Sequence, residues 1–206
     1  MFVEKRVRDF VDETASSKPV PGGGGVSALV AAMGIALGDM VGELTLGKKK
    51  YADVEEEIRV LMEKAKGLKD DFLALIDGDA EAFAPLAKAY SIPKDEPGRD
   101  EIMEDALRKA TSVPMEIVEK CVEALDYIEV FREKGSKLAI SDAGCAAKLC
   151  GAAMESAALN VYINSKAMKD RVYAESINDR LEQLLTIGKE KAESIYIEVT
   201  SELKNS

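Results

Sequence analysis

The chain has 206 residues, 47% of them hydrophobic, with 38 acidic against 28 basic side chains and a formal charge of -10. That length suits one domain with an ample core, and the charge argues against nucleic acid and anionic membrane surfaces as partners, so an anionic ligand needs a local basic patch. Histidine is absent, which removes the Ser-His-Asp triad, the usual zinc sets and the commonest base near neutral pH, and leaves proton transfer to Asp, Glu, Lys, Tyr, Cys or the ligand itself.

In chain order, Val3, Val7, Phe10 and Val11 predict a short amphipathic helix, and Ser16 to Gly25 a loop. The run from Val26 to Leu46 is apolar on more than one side and too long for a strand, which predicts a central buried helix. Asp39 interrupts the run well short of the roughly 20 apolar residues of a membrane span, so the segment is read as soluble and buried. Gly34, Gly38 and Gly42 share one ridge beside Ala28, Ala32 and Ala36. Each interior glycine costs about 1 kcal/mol against alanine, so the ridge implies close packing or a function. Gly22, Gly23, Gly24 and Gly25 expose backbone N–H groups at the positive end of this helix, where an anion or a carbonyl oxygen fits. Lys48, Lys49 and Lys50 suit the negative end, or form a basic patch. Gly42 to Lys48 matches the start of a phosphate-loop pattern, but Lys49 stands where Ser or Thr is required and a helix precedes it, so no nucleotide loop is read.

Apolar residues from Tyr51 to Asp77 repeat every three or four positions, predicting a long helix that Asp77-Gly78-Asp79 bends or opens and Pro85 kinks. Ser91 to Arg99 reads as a loop, Asp100 to Lys134 as a helix kinked at Pro114, and Gly135 as its stop. Ser141 is placed as the N-cap of a second small-residue helix, carrying Ala143, Ala146, Ala147, Cys150, Ala153 and Ala157, that should lie against the first. A break near Ser165 to Lys169 precedes a last helix with Ile177, Leu181, Leu184, Ala192, Ile195 and Val199 as its stripe. The expected fold is all-α: a single domain over residues 1–206, an antiparallel bundle of long helices with two central small-residue helices.

Several residues are candidates for chemistry. Asp39 and Glu43 lie one turn apart on an apolar helix, so they are either ion-paired or part of a site with raised pKa values. Asp142, in the first turn after Ser141, is favoured by the helix dipole with or without a ligand. Asn160 and Asn164, also one turn apart, either read a donor and acceptor edge or cap the break. Asp77 and Asp79 line a site or shape the bend. Cys121, Cys145 and Cys150 lack C-x-x-C spacing, which suggests neither a disulfide framework nor a cysteine zinc site. The N-terminal residues lack the apolar stretch of a signal peptide, which makes the cytoplasm the expected compartment.

Five blocks in order resemble one family. They are Pro19 to Val30 with Leu44 to Tyr51; Leu75-Ile76-Asp77 with Asp79, Glu81, Ala82 and Phe83; Val113-Pro114; Ser141-Asp142-Ala143-Gly144; and Asn160-Val161 with Ile163-Asn164. Together they resemble the folate cyclodeaminase/cyclohydrolase family, meaning the cyclodeaminase half of formiminotransferase-cyclodeaminase and stand-alone bacterial methenyltetrahydrofolate cyclohydrolases. The resemblance implies chemistry on a one-carbon unit of tetrahydrofolate. Either a formimino group closes to methenyl with loss of ammonia, or water opens the methenyl ring to a formyl group. It puts Asp142 and Asp39 in catalytic roles with Ser141 beside them. Substrate, possibly polyglutamylated, falls to Gly22, Gly23, Gly24, Gly25, Lys48, Lys49, Lys50, Asn160 and Asn164. Nothing in this chemistry calls for a metal or a cofactor besides the folate. A homodimer is expected, because two small-residue helices offer more packing surface than one short bundle uses. Relatives carry Gly-Asn-Lys-Asn before Ser-Asp, whereas this chain has Ser136 and Leu138 at the asparagine positions. The competing reading is a non-catalytic folate-binding or dimerising helical module.

Overall fold

The computed structural model describes residues 1–205, and the helices among them are α1 (Val7–Thr14), α2 (Gly23–Glu43), α3 (Glu55–Tyr90), α4 (Arg99–Lys134), α5 (Ile140–Ala167) and α6 (Arg171–Asn205), with no strand. Short 3₁₀ turns, Lys49–Val54 and Lys137–Ala139, lead into α3 and α5. α4 packs along α2, α3, α5 and α6; α2 lies between α3 and α5, and α5 between α2 and α6. The result is an all-α bundle with α2 and α5 side by side at its centre.

The glycines of α2 make that arrangement possible. A Cβ added at Gly34 would lie 2.6 Å from Cys150 Sγ and 3.2 Å from the Ala146 carbonyl, so α5 approaches to backbone contact there. At Gly42 a Cβ would meet Met62 of α3 at 2.7 Å and Phe131 of α4 at 3.0 Å, and at Gly38 it would press on Ile128 and Phe131. The ridge thus serves three neighbours in turn. α2 has the length and apolarity of a membrane span, with a mean hydropathy of 1.7, yet more than half of that window is buried inside the bundle.

Several boundaries differ from the sequence reading. α2 begins at Gly23, so three of the four glycines are helical instead of loop, and it ends at Glu43, before the lysines. Gly47 turns the chain with φ +70°, a left-handed conformation that suits glycine. α3 runs unbroken through Asp77, Gly78 and Asp79 to Tyr90. The two aspartates anchor neighbouring segments instead: Asp77 accepts the N–H groups of Phe2 (2.6 Å) and Val3 (3.3 Å), and Asp79 that of Gly25 (3.0 Å). Gly135 stops α4 in an extended conformation, and glycine is needed for space, because a Cβ would fall 2.4 Å from the Phe131 carbonyl oxygen and 2.7 Å from Val41. Ser141 is not the N-cap of α5. The preceding 3₁₀ turn delivers the chain already coiled, so the helix starts at Ile140 with Ala139 in the cap position and no side-chain cap bond.

The outward side of α2 and α5 is unusually apolar. Met33, Met40 and Leu44 on α2, and Leu159 and Ile163 on α5, are exposed, with Val30 and Leu37 partly so. On α2 these residues recur every three or four positions and form a continuous seam.

Candidate functional site

The candidate residues gather at the two opposite ends of the α2–α5 pair. Gly23 lies against Asn160, near the end of α5. The turn after α2 meets Ser136, just before α5: Thr45 Oγ1 accepts the Ser136 N–H at 2.8 Å, and Lys48 Nζ donates to Ser136 Oγ at 3.3 Å. α2 and α5 are therefore antiparallel, and the two ends are separated by the 21 residues of α2, about 30 Å of helix.

At the first end Gly22, Gly23, Asp79, Asn160 and Asn164, with Phe83 and Tyr90, line a recess of about 280 Å³. The anion expected at the glycine-rich helix start is supplied by the protein itself. Asp79 Oδ2 accepts the Gly25 N–H, and a Cβ on Gly24 would lie 2.1 Å from Asp79 Oδ1, so glycine there admits the carboxylate to the backbone. Asp79 acts as an N-cap delivered from another helix. Burial raises its pKa above the usual 3.8, and the Gly25 bond opposes the rise. The amides of Asn160 and Asn164 border the recess, although Asn160 Nδ2 also donates to the Ser156 carbonyl at 3.1 Å.

At the second end the lysines lie beyond the last turn of α2, so its dipole does not account for them. Lys48 reaches Ser136, and Lys50 Nζ sits 5.4 Å from the centre of the Tyr51 ring. The Tyr51 hydroxyl accepts the Lys137 N–H at 3.0 Å. That bond, helped by Lys50 and Ser136 and opposed by burial, lowers the phenol pKa below its ordinary 10.0. Asp142 is the third residue of α5, four before Ala146 and eight before Cys150, both of which face α2 at Gly34. It therefore continues the α2-facing ridge to the foot of α5, partly buried. Ser141 is exposed beside it, and Leu138 is 89% exposed in the turn just before.

Asp39 and Asp142 are not brought together in the folded chain. Five residues past Gly34, it is rotated about 140° from the side of α2 that meets α5. The charges around it are Glu43, Glu63, Lys66 and Lys69, on its own helix and α3. Burial first, and then Glu43, raises its pKa, and its Oδ1 is buried without a hydrogen-bond partner. A larger cleft of about 680 Å³ between α4 and α6 contains none of the candidate residues, and its Glu116, Glu119 and Glu123 make it a poor host for an anion.

Sequence reasoning undervalued Asp79 and Tyr51. Asp79 could have been found by asking which side chain caps a helix that begins in glycine. The partner that marks Tyr51, Lys137, is 86 residues away in the chain.

The cap reading of Asp79 predicts a split between two variants. Asp79→Ala leaves the buried Gly25 N–H without an acceptor and should lower stability by about 1 to 3 kcal/mol, whereas Asp79→Asn retains an oxygen acceptor and should not. A carboxyl whose folded-state pKa is raised holds its proton more tightly in the folded protein. Its contribution is fully present below 3.8 and is lost as pH rises through the raised value. Denaturant melts at pH 3.5 and 7 should therefore show the wild type losing ground to Asp79→Asn as pH rises; equal changes in both proteins would contradict this origin.

Comparison with known proteins agrees with the arrangement. Residues 6–183 match the family profile described as Formiminotransferase-cyclodeaminase. A methenyltetrahydrofolate cyclohydrolase of Methylorubrum extorquens is 42% identical over 98% of this chain and the whole of its own length. The mouse formimidoyltransferase-cyclodeaminase is 32% identical over 93% of this chain, which spans only 36% of that longer protein. The crystal structure of a formiminotetrahydrofolate cyclodeaminase from Thermotoga maritima superposes with a TM-score of 0.83 at 33% identity, covering 98% of this chain and 97% of its own. On sequence, length and fold alike, the chain belongs to the formiminotransferase-cyclodeaminase family.

Proposed function

We infer that the chain is an enzyme of one-carbon folate metabolism that makes or opens the methenyl bridge of tetrahydrofolate, acting as cyclohydrolase, cyclodeaminase or both. Besides family membership, one observation carries this reading: an acidic protein gathers Lys48, Lys50 and Lys137 with Ser136 and Tyr51 at the foot of α5, the helix whose first turn carries Asp142. A scaffold has no use for both charge signs at one helix end. Addition of water or of the folate amine gives the same kind of tetrahedral carbon between two folate nitrogens, so one site serves either reaction. The methenyl state is cationic, and the Asp142 carboxylate stabilises it electrostatically. Lys48, Lys49 and Lys50 answer the glutamate carboxylates, while Asn160, Asn164 and the glycine end form a separate recess within each protomer. Asp39 belongs to the α2–α3 charge cluster and is not assigned to proton transfer. The protein is read as soluble and cytoplasmic, with no metal.

The direct experiment follows methenyltetrahydrofolate absorbance with and without protein and measures ammonia release from the formimino substrate; failure of both defeats the reading. Asp142→Asn should cost about 10² to 10³ in turnover if the carboxylate faces the reacting carbon. As a mere first-turn acid it would cost only about 0.3 to 1 kcal/mol of stability. Normal turnover on both substrates would remove Asp142 from the site. Replacing all three lysines with Ala should raise KM more for polyglutamylated than for monoglutamyl substrate, and more at low salt; an equal loss on both would reduce the lysines to solvated charges.

The homodimer is proposed on the apolar outward seam of α2 and α5. Two adjacent helices about 30 Å long and 10 Å apart offer on the order of 600 Å² per protomer, close to the roughly 800 Å² of a standard interface. A two-fold axis crossing α2 would carry the glycine end of one protomer toward the lysine end of the other. Light scattering should give about twice 22.3 kDa, and Met33→Lys should dissociate the pair; an active wild-type monomer would refute the dimer.

A further inference from the structure

The reaction read above requires a group that accepts and returns a proton, and the chain has no histidine. Tyr51 lies where such a group is needed. Its hydroxyl accepts the backbone N–H of Lys137 at 3.0 Å, at the start of the turn that feeds α5 and five residues before Asp142. Ser136 and Lys50 stand beside it as further donors. Lys48 Nζ donates to Ser136 Oγ at 3.3 Å, which leaves the Ser136 hydroxyl proton free to point at the tyrosine oxygen. The Ser136 backbone is itself pinned through Thr45, whose hydroxyl donates to the Val41 carbonyl at 2.6 Å. The cation acting on Tyr51 is Lys50 on its own turn; the Lys48 ammonium is directed at Ser136 and the Lys137 ammonium at Glu202 of α6 (3.2 Å) and the Arg132 carbonyl (3.4 Å). A structural tyrosine hydroxyl needs one partner. This one accepts a backbone N–H and has the Lys50 ammonium beside its ring, with Ser136 nearby, an environment that supports its anion.

We propose that Tyr51 is the proton-transfer residue of this site, resting on the folate reading above. In the hydrolytic direction the Tyr51 phenolate takes a proton from water as the water oxygen bonds to the methenyl carbon, giving a neutral tetrahedral carbon and a phenol. The carbon–nitrogen bond to the pterin-side nitrogen then breaks with its electron pair going to nitrogen, which receives the phenol proton. The hydroxyl on carbon releases its proton to solvent as the carbonyl forms. One water is consumed, one proton is released, and the phenolate is restored. In the deaminating direction the formimino group enters protonated; the phenolate accepts the proton of the attacking folate nitrogen as the carbon–nitrogen bond forms, and the phenol then returns it to the amine, which departs as ammonia and leaves the methenyl cation. The depressed pKa of Tyr51 fits this cycle, because it raises the phenolate fraction near neutral pH.

The test uses the full-length protein. Tyr51→Phe should lower kcat by about 10² to 10⁴ with KM within a few-fold, and should abolish the rise of kcat/KM with pH whose inflection lies below 10 in the wild type. Replacement of Tyr51 by 3-fluorotyrosine retains hydroxyl and packing while acidifying the phenol, so it should move that inflection to lower pH and restore most of the rate. A Phe variant that retains both rate and inflection, or an inflection that does not follow the fluorotyrosine, overturns the proposal. A spectrophotometric titration of the tyrosinate band, wild type minus Tyr51→Phe, needs no turnover. A midpoint at or above 10 overturns the proposal even if neither folate reaction is found, whereas inactivity with a depressed midpoint faults only the substrate assignment.

Discussion

The structure depends on the backbone-close contact of α2 with its neighbours. Gly34 brings α2 onto Ala146 and Cys150 of α5, and Gly38 and Gly42 bring it onto Ile128, Phe131 and Met62. A Cβ at Gly34 would lie 2.6 Å from Cys150 Sγ and 3.2 Å from the α5 backbone, so even alanine there displaces Cys150 and presses the two helices apart, whereas at Gly42 the flexible Met62 side chain would have to give way. Both ends of the pair inherit their positions from this contact. A shift of α2 along α5 would pull Gly23 from Asn160 and Thr45 from Ser136 together, since both are fixed to the same two rigid rods.

The two ends deal with charge in opposite ways. At the glycine end the helix N-terminus already holds an anion, because Asp79 reaches the Gly25 N–H and occupies the space that Gly24 leaves open. Among the described residues no carboxylate pairs with Lys48, which donates to the Ser136 hydroxyl, a neutral partner. Elsewhere many lysines and arginines pair with glutamates and aspartates between helices, as in Lys120 with Asp71, Lys191 with Asp126 and Arg180 with Glu119. Exposed pairs of that kind contribute little stability. They do consume positive charge, which makes a lysine directed at a hydroxyl the more available to an anionic ligand.

The sequence made the fold legible wherever helical periodicity met small residues. The glycine ridge, the second small-residue helix and its pairing with the first all follow from spacing, because a three-to-four repeat of small side chains has few uses besides close packing. Boundaries were less legible. Ser141 has the chemistry of an N-cap, yet the 3₁₀ turn at Lys137–Ala139 starts the helix two residues earlier than that role requires. Gly78 between two aspartates resembles a break, but both carboxylates grip other segments and the helix continues. At Ser141 a neighbouring turn, and at Gly78 long-range contacts, overrode a local preference, and the latter are invisible to a window of a few residues.

The site was legible as a set of residues and not as a geometry. Glycines, lysines, asparagines and Ser-Asp stand out in the sequence as one ligand's worth of chemistry, but α2 sets them about 30 Å apart at its two ends. A folded protomer therefore presents two partial surfaces linked by an uncharged apolar seam of Val30, Met33, Leu37 and Met40. If the glycine end were only structural, Asp79 would explain it completely. The recess that remains beside Asp79, bordered by Asn160, Asn164 and Tyr90, is the part that capping does not explain. The same division applies to α5. Its first turn carries Asp142, its last turns carry the two asparagines, and the small residues between them let α2, α4 and α6 approach. The candidate residues thus sit where close packing ends, because a ridge without side chains has no functional groups to offer and the first residues free to carry them are those at its ends.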